Sequence, residues 1–303
     1  MNASLRRVEW RRIDGVLLLD KPHGIESNAA LQAVRRLYRA EKAGHAGTLD
    51  PLATGLLPIL FGEATKFGGV LLNGDKRYDA EITLGVTTTT GDAEGDVVER
   101  RTVGVSRHDV ERVARRFVGQ IAQVPPMYSA LKHGGRPLYA YARAGVVLER
   151  APRNVAVYEL QVLAFEGDRL AITVRCGKGT YIRVLAEDIG QALGCGAHLA
   201  GLRRTAVGRF TITDAVAFAS LEALSDAERD ARLQPIYALV LELPVVRLDS
   251  VAARRFTQGQ AVDAQSDCRG IVRVHGQDGA FVGTGEMDAS GELRPRRLVR
   301  QGE

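Results

Sequence analysis

The sequence predicts an α+β fold built on a mixed, largely antiparallel sheet, with a smaller β-rich unit at the C-terminal end. Strand-like runs outnumber helical ones, and their order shows no regular strand–helix alternation, which argues against a parallel α/β sheet. After Pro244 the sequence pattern changes to short strand-like runs separated by Gly-rich turns. We therefore predict two domains, residues 1–244 and 245–303.

Two periodicities locate the elements. Short apolar or alternating runs predict strands at residues 15–19, 56–61, 76–85, 154–165, 170–176, 200–210, 270–274, 280–282 and 298–299. Apolar positions at three- and four-residue spacing predict helices at residues 27–39, 64–72, 107–118, 138–144 and 180–193. Ser27 is expected to cap the first helix, and Tyr78 to lie on the inner face of the third strand.

Composition limits the class of protein. The 303 residues are 45% hydrophobic and 25% charged, as in ordinary soluble domains, and no apolar run approaches the length of a membrane span. The first twelve residues carry four Arg but no apolar run of signal-peptide type, so we expect a cytoplasmic protein without a membrane partner. The net charge of +5 is compatible with a polyanionic partner. The three cysteines are far apart and suggest neither a disulfide framework nor a metal site.

The segment 44–55 (GHAGTLDPLATG) is the strongest candidate for a functional loop. Its glycines allow positive φ and close approach of other groups, and Pro51 disfavours a helical conformation at Asp50. The apolar run that follows predicts a buried strand that anchors the loop. His45 and Asp50 are therefore candidate functional residues, because loops held by rigid scaffolds often carry catalytic groups. The alternative for Asp50 is an ordinary turn residue that caps the backbone.

A few further residues could carry chemistry. Tyr181 and Arg183 open a helix after a flexible Gly-Lys-Gly turn, and Asp92 lies in a polar loop at residues 87–95. The sequence lacks a Gly-x-Ser-x-Gly elbow, a Walker-type loop and an HExxH motif. The site that remains needs no cofactor and no metal, and consists of a carboxylate, an Arg and aromatic side chains.

Residues 44–67 (GHAGTLDPLATGLLPILFGEATKF) closely resemble the signature of the TruB family of tRNA pseudouridine synthases. The other matching motifs stand in that family's order and spacing: 20–24 (DKPHG), 76–78 (KRY), 125–132 (PPMYSALK), 179–183 (GTYIR) and 202–208 (LRRTAVG). The resemblance covers residues 14–210, and the C-terminal part resembles the PUA-type RNA-binding domain of bacterial members. It implies a sheet of the pseudouridine synthase type with a forked loop insertion.

The resemblance also implies an activity. The family isomerises the T-loop uridine at tRNA position 55 to pseudouridine: the N1–C1′ bond breaks, the base rotates, and C5 is joined to C1′. Such an enzyme must extrude the base from its stack and hold it in a pocket. Asp50 is implied as the catalytic carboxylate. Three routes stay open for it, namely attack on C1′, addition to the base, or removal of a sugar proton.

Arg183 and Asp92 are the implied neighbours of Asp50. Arg183 is similar to the family residue that keeps the carboxylate ionised and oriented, an arrangement that by itself lowers a carboxylate pKa. The alternative is a surface Arg that pairs with Glu187. Asp92 resembles a residue that also pairs with Arg183.

The resemblance implies roles for the remaining candidates. Tyr78 would stack on the flipped uracil and relay the C5 proton, although an inward-facing strand Tyr alone is more often a core residue. Tyr181 would line the pocket, with Leu202 closing its apolar wall. His45 is similar to the residue that enters the T loop when the uridine leaves, and Lys21 would contact phosphate or the pocket wall, as would Lys132.

Two other classes of protein are considered. A non-catalytic tRNA-binding or tRNA-folding protein on the same fold is disfavoured because Asp50, Tyr78, Tyr181 and Arg183 occur together. A nucleoside hydrolase would typically show an Asp-rich metal cluster that the sequence lacks. The expected partner is the T stem-loop of tRNA; no protein partner is implied, and a monomer is expected.

Overall fold

The computed structural model describes residues 9–264 and 266–300. Most of the basic N-terminal stretch considered above, residues 1–8, lies outside the described residues. Within these ranges, no helix has the length and apolar character that crossing a membrane requires.

The described chain contains more strands than helices, as the sequence predicts. The strands are β1 (Gly15–Lys21), β2 (Ala43–His45), β3 (Ala53–Phe61), β4 (Lys76–Leu84), β5 (Val86–Thr88), β6 (Val97–Arg100), β7 (Gly119–Gln123), β8 (Lys132–His133), β9 (Arg136–Pro137), β10 (Arg153–Glu166), β11 (Arg169–Cys176), β12 (Ala197–Val207), β13 (Phe210–Thr211), β14 (Val216–Ala217), β15 (Val245–Leu248), β16 (Val262–Asp263), β17 (Gly270–Gly276), β18 (Phe281–Met287) and β19 (Glu292–Leu298). The α-helices are α1 (Ser27–Leu37), α2 (Gly68–Asn73), α3 (Arg107–Arg115), α4 (Leu138–Ala142), α5 (Ile182–Ala192), α6 (Phe218–Ala223), α7 (Asp226–Asp230) and α8 (Ser250–Thr257). Short 3-10 helices span Gly62–Phe67, Ile212–Asp214 and Ile236–Val240.

Ten strands form the central sheet, in the order β14-β1-β3-β12-β4-β11-β10-β7, with β13 added to β12 and β2 to β3. The pairs β1–β14 and β12–β3 are parallel, and the other pairs are antiparallel. The predicted mixed, largely antiparallel sheet is thus confirmed. Two hairpins, β5–β6 and β8–β9, lie outside this sheet.

Helices α3 and α5 cover one face of the β4–β11–β10 half. Ile182, Leu185 and Ile189 recur on one side of α5 because of the helical period, and they pack with Ile82 and Ile172 of the sheet. Leu185 is completely buried, and its burial contributes about 1.5–3 kcal/mol to stability. The start of α5, which carries Tyr181 and Arg183, is thereby held rigidly over the centre of the sheet.

Helix α1 packs on the β1–β3 half through Leu31 and Val34. The predicted helix is present, but the predicted cap is wrong: Glu26 occupies the N-cap position, and its side chain makes no capping hydrogen bond. The Ser27 hydroxyl instead bonds the backbone of Leu49, accepting from its N–H at 2.7 Å and donating to its carbonyl at 2.8 Å. Ser27 is buried because it ties the helix to the functional loop rather than closing the helix end.

A separate five-stranded sheet, β15-β17-β18-β19-β16, forms the C-terminal part around Phe256 of α8. It meets the central part where the rings of Phe67 and Phe281 lie 5.6 Å apart between centroids. Lys66 adds a polar contact by donating to the Leu298 carbonyl at 2.9 Å. The expected β-rich C-terminal unit is confirmed, and its sheet is more continuous than the short predicted runs.

Candidate active site

The loop that carries Asp50 connects β2 and β3 at the middle of the central sheet. Gly47 has φ +89°, a conformation that side chains with a Cβ rarely adopt. The Ser27 hydroxyl holds the backbone at Leu49, and the Ala53 N–H donates to the Asp50 carbonyl at 3.1 Å. The irregular, strand-anchored loop predicted from the sequence is therefore present, although its anchoring strand begins at Ala53 rather than Leu56.

Arg183 lies between two carboxylates. Its Nη2 is 3.0 Å from Asp50 Oδ2, and its Nη1 is 3.5 Å from Asp92 Oδ2. The guanidinium also donates to the Tyr128 carbonyl at 2.6 Å. Among the described residues its carboxylate partners are these two and not Glu187, so the surface-pair alternative is wrong.

The two carboxylates differ in exposure. The Asp92 side chain is 4% exposed, whereas that of Asp50 is 43% exposed and faces the cavities described below. Asp92 therefore serves as the buried counter-charge that fixes Arg183, and Asp50 is the carboxylate within reach of a bound molecule.

Burial raises the pKa of Asp50 above its ordinary value. The charge of Arg183 lowers this pKa and that of Asp92 raises it again, so the ion pair offsets only part of the effect of burial. The expected contribution of Arg183 is present, but the net direction of the pKa shift is upward because burial is the largest of these effects. A raised pKa makes the ionised form a stronger base than a free Asp.

Two cavities flank Asp50 and Arg183. The smaller has a volume of about 270 Å³, and Tyr78, Tyr181 and Leu202 line it. The larger, of about 620 Å³, is lined by His45 and Asp92 and, on α4, by Tyr139. Asp50 thus lies on the wall between an aromatic pocket and a wider, more polar cleft.

Strand pairing and a side-chain clamp position the two tyrosines. Tyr78 lies on β4, directly opposite Arg204 of β12. The Gln123 side-chain amide both accepts from the Tyr181 N–H at 3.0 Å and donates to the Tyr181 carbonyl at 3.2 Å. Burial raises the pKa of both hydroxyls. At neutral pH both tyrosines therefore present neutral phenols to the pocket.

His45 ends β2 and is half-buried in the larger cavity. Its Nδ1 is buried without a hydrogen-bond partner among the described residues. Burial, assisted by the charge of Arg204, lowers the His45 pKa. The ring is therefore neutral near pH 7 and has an unsatisfied polar edge.

The structure contradicts the expected phosphate contact of Lys21. The residue is 0% exposed, and its Nζ donates to the carbonyls of Pro22 and Ile25 at 2.8 and 2.7 Å. Burial lowers the Lys21 pKa to about 8. Lys21 anchors the 22–25 turn behind the loop and has no surface that a phosphate group could reach. Lys132, in contrast, is exposed on β8.

The sequence argument missed Arg204. Arg204 is not among the candidates named from the sequence, yet it is buried beneath the Asp50 loop and lines the smaller cavity. Alternation along β12 could have located it, because Arg204 lies two residues beyond Leu202, the expected pocket residue, and shares its face.

Comparison with known proteins identifies the class. The structure superposes on a chain of the crystal structure of a Cbf5–Nop10–Gar1 complex with a TM-score of 0.71, at 28% identity over 97% of this chain and 87% of that chain. The central sheet has the fold of a pseudouridine synthase.

Sequence comparison then specifies the family. The N-terminal domain model of the TruB family of pseudouridylate synthases matches residues 35–182, and two models of TruB C-terminal domains match residues 183–243 and 244–299. Proteins named tRNA pseudouridine synthase B from Azoarcus sp. and Methylobacillus flagellatus are each 53% identical, over 97% and 98% of this chain and 97% and 99% of their own. The chain belongs to the TruB family, as the motifs indicated.

Proposed function

We propose that this protein isomerises the uridine at position 55 of the tRNA T loop to pseudouridine, with Asp50 as the catalytic carboxylate. The observation that supports this most directly is the pair between Arg183 and Asp50 at the wall of a pocket formed by Tyr78, Tyr181 and Leu202. The relatives named tRNA pseudouridine synthase B support the substrate class.

The reaction needs groups that this pocket supplies. The target base leaves its stack and lies against Tyr78, where stacking contributes roughly 1–3 kcal/mol. The N1–C1′ bond then breaks, and its electron pair stays on the base. The base rotates, C5 bonds to C1′, the C5 proton is lost, and N1 gains a proton. No oxidation state changes, so the balanced reaction requires no redox partner.

Asp50 works at the sugar side of this sequence. Arg183 keeps its ionised form oriented toward the smaller cavity, and the raised pKa makes that form more basic and more nucleophilic than an exposed carboxylate. The Tyr78 hydroxyl, which lines the same cavity, is the proposed relay of the C5 proton: its oxygen takes that proton as its own O–H proton passes to water. Tyr181 and Leu202 limit the space in which the detached base can rotate.

The larger cavity suits the RNA around the target. We assign His45 as the side chain that fills the gap left by the extruded uridine, because it is only half-buried and lines this cavity. We also propose that residues 245–303 form a PUA-like RNA-binding domain, separate from the catalytic domain at 1–244. The exposed Arg294, Arg296 and Arg297 of β19 are its candidate phosphate contacts, and in the absence of RNA Arg294 and Arg296 pair with Glu292 and Glu286.

The proposed substrate places the protein in the cytoplasm, where tRNA is modified. We propose that it acts as a monomer, because all the groups assigned above come from one chain. Sedimentation of the free protein and of its complex with tRNA would test this.

The decisive experiment incubates the protein with T stem-loop transcripts and maps pseudouridine chemically along the product. We expect one modified position in the wild type, none with Asp50→Asn, and unchanged RNA affinity for that variant. The rate should fall by roughly 10³-fold or more. The control is Asp79→Asn, which removes an exposed carboxylate on the strand that carries Tyr78.

Each contrary outcome has a distinct meaning. Substantial turnover by Asp50→Asn would mean that Asp50 is not the catalytic carboxylate. Wild-type binding without modification would favour the RNA-binding or RNA-folding alternative. Release of free uracil would indicate a hydrolase.

A further inference from the structure

Arg204 is a buried cation without a carboxylate partner among the described residues. Arg204 is only 1% exposed. Its guanidinium donates hydrogen bonds to three backbone carbonyls: Nε to Leu56 at 2.7 Å, Nη2 to Gly47 at 3.0 Å and Nη1 to Thr48 at 3.4 Å. An unpaired buried charge is costly, and carbonyl dipoles offset the cost only in part. Arg183, on the opposite side of Asp50, has two carboxylates.

The charged groups around Arg204 do not neutralise it. Lys21 of β1, Lys76 of β4 and His45 of β2 are all basic, and the charge of Arg204 lowers the pKa of each. The acidic group that faces it is the phenol of Tyr78, its direct cross-strand partner. Because directly opposed residues of antiparallel strands project to the same face, the two side chains lie on one face of the sheet, and both line the smaller cavity.

The same guanidinium therefore contacts both halves of the site. Its bonds to Gly47 and Thr48 fix the backbone just before Asp50, and its bond to Leu56 fixes the start of the strand that follows. A Cβ added to Gly47 would come within 3.3 Å of Nη1, so the absence of a side chain there allows this close approach. Arg204 is also the direct cross-strand partner of Tyr78, and both residues line the smaller cavity.

We propose that Arg204 is a positioning residue that couples the Asp50 loop to the Tyr78 hydroxyl, so that carboxylate and phenol keep a fixed separation during the reaction. The proposal rests on the proposed pseudouridine synthesis. A guanidinium only donates hydrogen bonds, so beside Tyr78 it leaves the phenol oxygen as an acceptor. The C5 proton passes to this oxygen as the phenol's own O–H proton passes to water, so the phenol stays neutral. The electron pair of the C5–H bond re-forms the C5=C6 double bond, and N1 takes up a proton.

The charge also changes how readily Tyr78 ionises. Burial raises the Tyr78 pKa, and Cys176 of β11 and Asp50 raise it further, whereas Arg204 opposes them. Removing the guanidinium should therefore raise the pKa of Tyr78 beyond its value in the wild type. A residue that only supported the fold would leave this pKa unchanged.

The first test measures Tyr78 directly, without RNA. The protein is labelled with ¹³Cζ-tyrosine, the Tyr78 resonance is assigned with Tyr78→Phe, and its pH titration is followed in wild type, Arg204→Lys and Arg204→Met. We expect the titration to move to higher pH in Arg204→Met and to stay near wild type in Arg204→Lys, which keeps the charge. Equal titrations in wild type and Arg204→Met would overturn the coupling to Tyr78.

The second test measures single-turnover rate and KM on T stem-loop RNA. Lys cannot reproduce the fork that bonds three carbonyls. Arg204→Lys should therefore lower kcat at least about 10-fold while changing KM less than about 3-fold, and Arg204→Met should lower kcat further. In combination with Tyr78→Phe the losses should be less than multiplicative. Unchanged kcat in folded Arg204→Lys, or multiplicative losses, would overturn the proposal.

Two controls keep the outcomes distinct. Arg229→Met removes another largely buried Arg that donates to backbone carbonyls, at Leu221 and Glu222, far along the chain from the pocket. Arg229→Met should lower thermal stability and leave the pH titration of Tyr78 unchanged. If Arg229→Met shifted the Tyr78 titration as much as Arg204→Met does, a specific role for Arg204 would be overturned. If Arg204→Met does not fold, Arg204→Gln, which also removes the charge, replaces it in the titration, and Arg204→Lys carries the kinetic test. A wild type that makes no pseudouridine would refute the proposed function, whereas the Tyr78 titration would still decide the coupling.

Discussion

The central sheet and the C-terminal sheet bury different kinds of side chain. All the charged side chains that are buried among the described residues belong to the central part: Lys21, Lys76, Asp92, Arg183 and Arg204. The C-terminal sheet surrounds Phe256 with apolar residues, and its buried polar residue is Thr284. Burying a charged side chain opposes folding, so these residues around the candidate active site lower the stability of the central part. The C-terminal part keeps its charges on the surface, where they suit contact with a polyanion.

The largest effect on stability should come from breaking the balanced charge cluster. Arg183→Met leaves Asp92 buried without its cation, so the free energy of unfolding should fall by about 3–5 kcal/mol. Urea unfolding measures this. Arg143→Met is the matched control, because it breaks the exposed Arg143–Glu26 pair at 3.5 Å and should cost no more than about 1 kcal/mol. Equal losses would mean that the charge cluster contributes no more than a surface pair.

The second prediction concerns pH and the unpaired cation Lys21. The folded pKa is about 8, against 10.5 for a free Lys, so the unfolded chain holds the proton over a range in which the folded chain has released it. The stability contribution is therefore unfavourable below pH 8 and improves as the pH rises toward 10.5.

Lys21→Met removes this dependence. The difference in unfolding free energy between wild type and variant should rise with pH at up to about 1.4 kcal/mol per pH unit. Urea unfolding at several pH values between 7.5 and 10 would measure it, and Lys132→Met, at an exposed position, should show no such slope. A flat difference for Lys21→Met would mean that its ammonium is not desolvated.

The smallest effect is expected at the C-terminal sheet. Replacing Arg294, Arg296 and Arg297 by Gln should leave unfolding unchanged within about 0.5 kcal/mol, because all three are exposed. The salt dependence of tRNA binding should flatten by about 0.7–0.9 in the log–log slope for each lost phosphate contact. Filter binding over a range of salt concentrations measures it. An unchanged slope would mean that these three arginines do not contact RNA phosphates.

The sequence predicted the positions of strands and helices well where the pattern of apolar residues is local. Alternation placed β4, β10 and β11 within a few residues, and the helical period located α1, α3 and α5. It failed for β7, whose residues Gly119–Gln123 are mostly exposed and give no clear alternation. It also misplaced the role of Ser27, because a hydroxyl before a helix is usually a cap and the competing partner, Leu49, is distant in sequence.

The sequence by itself determined the family, the order of the elements and the loop that presents Asp50, because motifs and periodicity are properties of neighbouring residues. The tertiary structure alone decided which basic residues are buried and what they contact. Lys21 and Arg204 look like ordinary surface cations in the sequence, and only strand pairing places them under the loop. The same packing decided the direction of the Asp50 pKa, since it depends on how completely the cavity walls exclude water as well as on the Arg183 charge.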